Sequence, residues 1–188
     1  ARSIYGSLVT VVGMGNLGGA FARRMRAMGA RVRGVKRSAA AEKPEYLDAL
    51  YPASRLAEAV EGADAVALCL PATAETEGIM SEAILSCMKK GAILLNAGRG
   101  ATLDEPALIR ALMGGHLGGA VLDVTAEEPL CADSPLWDMD NVILTPHISG
   151  ANGDPISAAV LYEIFHDNLE RILAGKPLRN VVDPATGY

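Results

Sequence analysis

Leu8-Val9-Thr10-Val11-Val12-Gly13-Met14-Gly15-Asn16-Leu17-Gly18 decides how this chain is read. The first five residues are apolar or β-branched with no polar alternation, which suits a strand buried on both faces. Gly13 breaks that run. From Leu17 to Met28 the apolar residues Leu17, Phe21, Met25 and Met28 recur at helical spacing, and Gly29 stops the pattern. Between such a strand and such a helix, the first glycine makes a tight turn, the second leaves room for a pyrophosphate and the third lets helix and strand pack. The helix N-terminus adds unpaired N–H groups and a dipole that favours phosphate. Gly13, Gly15, Asn16, Leu17 and Gly18 are therefore candidate contacts to a dinucleotide.

Working outward, Arg31 to Val35 reads as a second, less apolar strand, and Lys36-Arg37-Ser38 stands at its end. An acidic residue there would accept from the ribose hydroxyl of NAD, whereas two cations and a hydroxyl suit a 2′-phosphate. The expected cofactor is NADP in preference to NAD, with Lys36, Arg37 and Ser38 as contacts. Ser54 to Val60 reads as a helix, and Ala65 to Leu70 as a strong strand ended by Pro71. Ser81 can cap a helix to about Met88, and Gly91 introduces a strand from Ala92 to Leu95. Asp104 and Pro106 start the next helix, which Gly114-Gly115 closes, and strands follow at Ala120 to Leu122 and Val142 to Leu144. This alternation implies a doubly wound α/β fold, a parallel sheet covered on both faces. Asp154-Pro155 opens a long helix with an apolar stripe through Val160, Leu161, Ile164, Phe165, Leu169 and Ile172, ended by Gly175, before an extended tail from Pro177 to Tyr188. The expected organisation is a dinucleotide-binding domain over residues 1–153 and a helix with its tail over 154–188.

With 188 residues, half of them apolar, the chain can bury one substantial core. A net charge of −5 and the lack of any Lys/Arg-rich run speak against a nucleic-acid surface. The sequence has no uncharged stretch of membrane-spanning length and no secretory layout at its start, so a soluble, cytoplasmic protein is expected. The three cysteines, Cys69, Cys87 and Cys131, have no metal-ligand spacing, so reduced thiols and no metal are expected. Cys69 reads as a small packed hydrophobe, although its place at a strand end also brings it near a bound dinucleotide.

Three ionisable residues follow predicted strands at their carboxyl ends, the edge where an open α/β sheet collects ligands. They are Arg99 in Asn96-Ala97-Gly98-Arg99-Gly100, Glu128 in the loop after Asp123-Val124, and His147 in Thr145-Pro146-His147. Together they make a fixed cation, a carboxylate and a titratable acid/base, which is the kit for reducing a 2-keto acid. Arg99 can pair with the carboxylate and polarise the ketone, His147 can hand a proton to the forming alkoxide, and Glu128 can pair with the imidazole. Glu127 is a rival for that last role, and the restriction that Pro129 places on the preceding residue favours Glu128.

These residues carry a resemblance. The chain resembles the cofactor-binding half of the D-isomer-specific 2-hydroxyacid dehydrogenase family from about Gly6 to Tyr188. The motifs are Val12 to Gly18, Leu70-Pro71-Ala72-Thr73-Ala74-Glu75-Thr76, Met88-Lys89-Lys90-Gly91-Ala92, Asn96 to Gly100, Asp123-Val124 with Glu128-Pro129, and Thr145-Pro146-His147. The resemblance implies that Arg99 binds the substrate carboxylate and carbonyl, that His147 is the acid/base and that Glu128 is its partner. It further implies that Asp123 meets the nicotinamide carboxamide, that Leu70, Pro71, Ala97 and Gly98 line the dinucleotide, and that Thr76 is a further contact. Cys69, Arg99, His147 and Gly150 complete the expected cofactor set. The basic segment at Lys36-Arg37-Ser38 is similar to that of glyoxylate and hydroxypyruvate reductases, so a small 2-keto acid is the expected substrate; since family members associate through this half, the resemblance also implies a homodimer. Phosphoglycerate and lactate are other substrates for the same chemistry, whereas Glu128, where formate-oxidising relatives have Gln, argues against formate. Family members carry a substrate domain of about a hundred residues before the glycine motif. Here only 12 residues precede Gly13, so the chain reads as the cofactor-binding part of a longer enzyme, with little turnover alone. The other function class is a nucleotide-binding module that reports redox state or bridges partners, and the three ionisable residues speak against it.

Overall fold

All five residues of Leu8–Val12 are buried, and they form β1 with a parallel strand on either side. The computed structural model describes residues 3–38, 42–150 and 155–184. It divides into two units, residues 1–146 and 147–188. In the first unit β2 (Arg31–Lys36) and then β3 (Ala49–Pro52) lie on one side of β1. On the other side come β4 (Ala65–Leu68), β5 (Ala92–Asn96), β6 (Leu117–Leu122) and β7 (Val142–Leu144). Every neighbouring pair is parallel. The chain thus steps outward from β1 to β3, returns, and steps outward the other way from β4. The order reverses between β1 and β4, where open sheets of this kind hold ligands outside their carboxyl ends. This is the doubly wound Rossmann arrangement that the alternation of strand and helix predicts.

The side-chain period of two explains why β1 is central. Val9 and Val11 pack with Val32, Leu47 and Ala22, the last on α1 (Asn16–Ala27). Leu8 and Val12 join the larger core on the other face, with Leu56 of α2 (Leu56–Val60), Leu85 of α3 (Glu82–Cys87) and Leu108 of α4 (Glu105–Met113). Thr10 shares that second face, fully buried, and its hydroxyl donates to the Ala59 carbonyl at 2.7 Å, fastening the strand to the end of α2. A buried hydroxyl is tolerable only with such a partner.

Several boundaries differ from the sequence expectation. β3 has no counterpart in it, because four half-buried residues ending in proline, at a sheet edge, show neither alternation nor a continuous apolar run. β4 stops at Leu68, so Cys69 and Leu70 belong to the turn that leaves the sheet, although the Cys69 N–H still donates to Val12 at 2.8 Å. β6 begins at Leu117, because Gly118-Gly119 is strand and not turn: a Cβ at either would meet the backbone of Gly91 or Asn141. Ser81 stands at the N-cap of α3 but makes no side-chain cap, whereas Asp104 caps α4 by accepting from the Ala107 N–H at 3.0 Å. The expected stripe of α1 is also revised. Leu17 and Met28 are exposed, Phe21 and Met25 pack at the margin, and Gly18, Gly19 and Ala22 form the buried face. Small residues win there because the helix lies too close to β1 for larger ones.

The second unit contains α5 (Pro155–Leu173), none of whose described residues is buried. Asp154, the expected opening residue, lies outside the described residues, as do 185–188. The stretch after α5, expected as a simple extended tail, turns back on the helix. Asn168 accepts from the Arg179 N–H at 2.8 Å and donates to the Arg179 carbonyl at 3.1 Å. Asp167 pairs with both Arg171 and Arg179, at 3.0 and 2.9 Å, and these guanidinium groups hold its carboxyl below the usual range.

Candidate active site

The turn after β1 has the form a dinucleotide requires. Gly13 has φ of 99°, a left-handed conformation, and its N–H donates to the Val35 carbonyl. A Cβ on Gly13 would stand 2.6 Å from the Cys69 carbonyl oxygen, and one on Gly18 would stand 1.8 Å from the Gly13 carbonyl oxygen. These two glycines are therefore demanded by the protein's own packing. Gly15 is different, since nothing lies within 4 Å of a Cβ built there. It occupies the N-cap of α1, which has no side-chain cap and no acidic residue in its first turn. Uncapped helix N–H groups facing open space suit an anion, so the residues present fit a dinucleotide pyrophosphate.

The carboxyl-end loops of neighbouring strands are locked together backbone to backbone. Added Cβ atoms on Gly98 and Gly100 would stand 2.6 Å from the Leu70 carbonyl oxygen and 1.8 Å from the Thr125 carbonyl oxygen. The loop after β5 thus rests on the loops after β4 and β6. Asn96, the last residue of β5, is wholly buried and clamps the turn that presents Arg99. Its Oδ1 accepts from the Gly98 N–H at 3.1 Å and its Nδ2 donates to the Arg99 carbonyl at 3.2 Å. The Thr102 hydroxyl donates to the same carbonyl at 2.7 Å. Arg99 itself is exposed, with one guanidinium nitrogen donating to the Gly98 carbonyl at 2.7 Å.

Asp123 follows β6 directly and is buried, accepting from the Thr145 hydroxyl at 2.5 Å. Glu128 accepts from the Thr125 N–H at 3.3 Å, so its carboxylate folds back onto the residue whose carbonyl adjoins Gly100. Glu127 accepts instead from the Cys131 thiol at 3.0 Å. The loops that carry Arg99 and Glu128 therefore meet at Gly100 and Thr125, and Glu127 turns towards Cys131. His147 is the first residue of the second unit, directly after Pro146 in the chain, and its φ of 54° is one that non-glycine residues rarely adopt. Gly150 belongs to that unit as well.

Of the remaining expected contacts, Ala97 donates its N–H to Leu68, and the backbone of Leu70, just before Pro71, lies against Gly98. The Thr76 hydroxyl donates to the Pro71 carbonyl at 2.6 Å and accepts from the Thr73 N–H at 2.9 Å, so it shapes its own loop. Cys69 is partly buried, and burial pushes its thiol up to about 11, in keeping with a packed and protonated side chain. Lys36 ends β2, and the Arg37 Nε lies 3.1 Å from a Glu75 carboxylate oxygen. Asn96, Thr145 and Glu75 escaped sequence reasoning as site-shaping residues. A polar side chain closing the apolar strand Ala92–Asn96 was the signal available for Asn96.

Comparison with known proteins agrees with this geometry. Residues 1–149 match the family described as D-isomer specific 2-hydroxyacid dehydrogenase, NAD binding domain. The chain is 38% identical over 182 residues to glyoxylate/hydroxypyruvate reductase B of Enterobacter sp. (strain 638), covering 96% of this chain and 55% of that protein. A crystal structure of a D-isomer specific 2-hydroxyacid dehydrogenase from Xanthobacter autotrophicus Py2, in complex with NADPH and MES, superposes with a TM-score of 0.89 at 39% identity, covering 100% of this chain and 75% of that one. An NADPH-dependent glyoxylate/hydroxypyruvate reductase from Sinorhizobium meliloti, in complex with NADP and sulfate, gives 0.90 at 34% identity, covering 100% of this chain and 58% of that one. The chain thus spans about half the length of the reductases it matches. With its glycine turn, its strand order and the family match over residues 1–149 in agreement, the chain belongs to the NAD-binding domains of the D-isomer specific 2-hydroxyacid dehydrogenase family.

Proposed function

We propose that this chain is the cofactor-binding part of a reductase that converts a small 2-keto acid, of the glyoxylate or hydroxypyruvate kind, to a D-2-hydroxy acid with NADPH. The bound nicotinamide would supply the hydride. The observation that carries the reading is the Asn96-clamped turn, which offers Arg99 on a loop that touches both the loop after β4 and the Glu128 loop. Arg99 pairs with the substrate carboxylate and draws charge onto the carbonyl oxygen. His147 is the proposed donor of the proton to that oxygen, with Glu128 as its proposed carboxylate partner. Asp123, held by Thr145, would accept from the carboxamide of the nicotinamide. Lys36, Arg37 and Ser38 would hold the 2′-phosphate. NADP or NADPH in the Xanthobacter and Sinorhizobium complexes supports that preference, as does the name of the Enterobacter relative for the substrate class.

The test is His147→Asn in the full-length protein. NADPH binding measured by calorimetry stays within about twofold of wild type, while glyoxylate reduction falls by about 10²–10⁴-fold, the usual worth of a general acid. Retained turnover, or loss of cofactor binding, would overturn the assignment.

A further inference from the structure

The Arg37–Glu75 pair at the carboxyl edge brings in Glu75, a residue to which the proposed reaction gives no role. Arg37 follows β2 and Glu75 lies in the loop after β4, and β1 runs between those two strands. Second neighbours in a sheet lie about 9–10 Å apart. The ion pair, at 3.1 Å, therefore links the loops that leave the strands on either side of β1, the strand that leads into the Gly13 to Gly18 turn. Glu75 is mounted on a firm base. The Thr76 and Glu77 N–H groups both donate to the Thr73 carbonyl, and the Thr76 hydroxyl ties the turn to Pro71 at 2.6 Å. The carboxylate is thus presented to Arg37 by its own loop.

We propose that Glu75 is a specificity-determining residue that sets how strongly the site prefers NADPH to NADH. The inference rests on the reading of Lys36-Arg37-Ser38 as the 2′-phosphate contact. A carboxylate on the guanidinium that should read the phosphate does two things. It occupies the cation in the free protein, and it stands as a like charge beside a bound phosphate. Both side chains are more than half exposed, at 54% and 68%, so the pair is weak enough for a dianionic phosphate to displace. NADH has only a hydroxyl at that position, so it has no need to displace Glu75. Glu75 therefore lowers the affinity for NADPH selectively, and a substitution there raises it.

The experiment is calorimetric titration of Glu75→Gln, Arg37→Ala and the wild-type chain with NADPH and with NADH, at about 20 mM and about 300 mM salt, where screening differs several-fold. For Glu75→Gln the expected result is NADPH binding tightened about 3–5-fold at low salt, a smaller gain at high salt and NADH unchanged within twofold. The scale is that of one exposed charge pair. An unchanged NADPH affinity in Glu75→Gln, or an equal change for both cofactors, overturns the inference. The Arg37→Ala arm tells the two failures apart. If that variant loses the preference for NADPH while Glu75→Gln changes nothing, the phosphate-reading segment stands and only the role of Glu75 falls. If neither substitution alters the preference, the reading of that segment falls as well.

Discussion

Gly15→Ala and Gly18→Ala, three residues apart in one turn, should fail in opposite ways. At Gly18 a methyl group would stand 1.8 Å from the Gly13 carbonyl oxygen and 3.2 Å from the Val11 side chain. Neither α1 nor the turn can give way without moving backbone. The cost is at least the upper range for overpacking, about 3 kcal/mol, which lowers the melting temperature by about 6–12 °C for a chain of this size. At Gly15 the added methyl meets nothing, and the backbone, with φ of −75° and ψ of −160°, is one that alanine adopts. The only cost to folding is the poorer N-cap, about 1 kcal/mol at most. Binding suffers instead, because the methyl group projects where the pyrophosphate must approach the helix N–H groups. Losing one charge-assisted hydrogen bond there costs about 1.5–3 kcal/mol, or roughly 10–100-fold in Kd for NADPH. Differential scanning fluorimetry and calorimetric titration on the same samples separate the two effects. A Gly15→Ala variant that binds NADPH as wild type, or that melts about 10 °C lower, would refute the argument that this glycine is kept open for a ligand.

Two further outcomes follow from the bonds at the sheet edge. Asn96→Ala strands the buried Gly98 N–H, which costs about 1–3 kcal/mol. Its urea midpoint should fall accordingly, and an unchanged denaturation curve would contradict the clamp. Burial raises the Cys69 thiol to about 11, so the folded state favours the protonated form. The associated stability is complete below the ordinary thiol value and is lost as pH climbs from there towards 11. Cys69→Ala should remove that alkaline loss, and native Cys69 should react with iodoacetamide far more slowly than in a urea-unfolded control. Equal labelling rates would show that the thiol is neither buried nor shifted.

The elements that the sequence predicts well are those whose pattern arises from burial on both faces. β1 and β4 are continuous apolar runs, and the Gly13 to Gly18 turn carries its own steric logic. What escapes depends on partners distant in sequence. β3 exists because Arg33 to Lys36 offer it an edge to pair with, and nothing within Ala49–Pro52 announces that. The buried face of α1 follows from how closely the helix lies to β1, a tertiary distance that favours Gly18 and Ala22 over the larger residues of the helical stripe. At the site, Arg99 and Glu128 were legible as ionisable residues beyond strand ends. The roles of Asn96, Thr145 and Glu75 came from hydrogen bonds and an ion pair between separate loops. The choice of Glu128 over Glu127 rested in the sequence on Pro129 alone. The structure adds that Glu127 turns to Cys131 and Glu128 to Thr125.

A crystal structure of the chain with NADPH tests the central claim most directly. The account predicts the pyrophosphate on the Gly13 to Gly18 turn within hydrogen-bond distance of the first N–H groups of α1, the 2′-phosphate on Arg37 and the nicotinamide carboxamide at Asp123. A dinucleotide bound away from the carboxyl ends of β1 and β4, or one whose nicotinamide lies beyond reach of both Asp123 and Arg99, would contradict it.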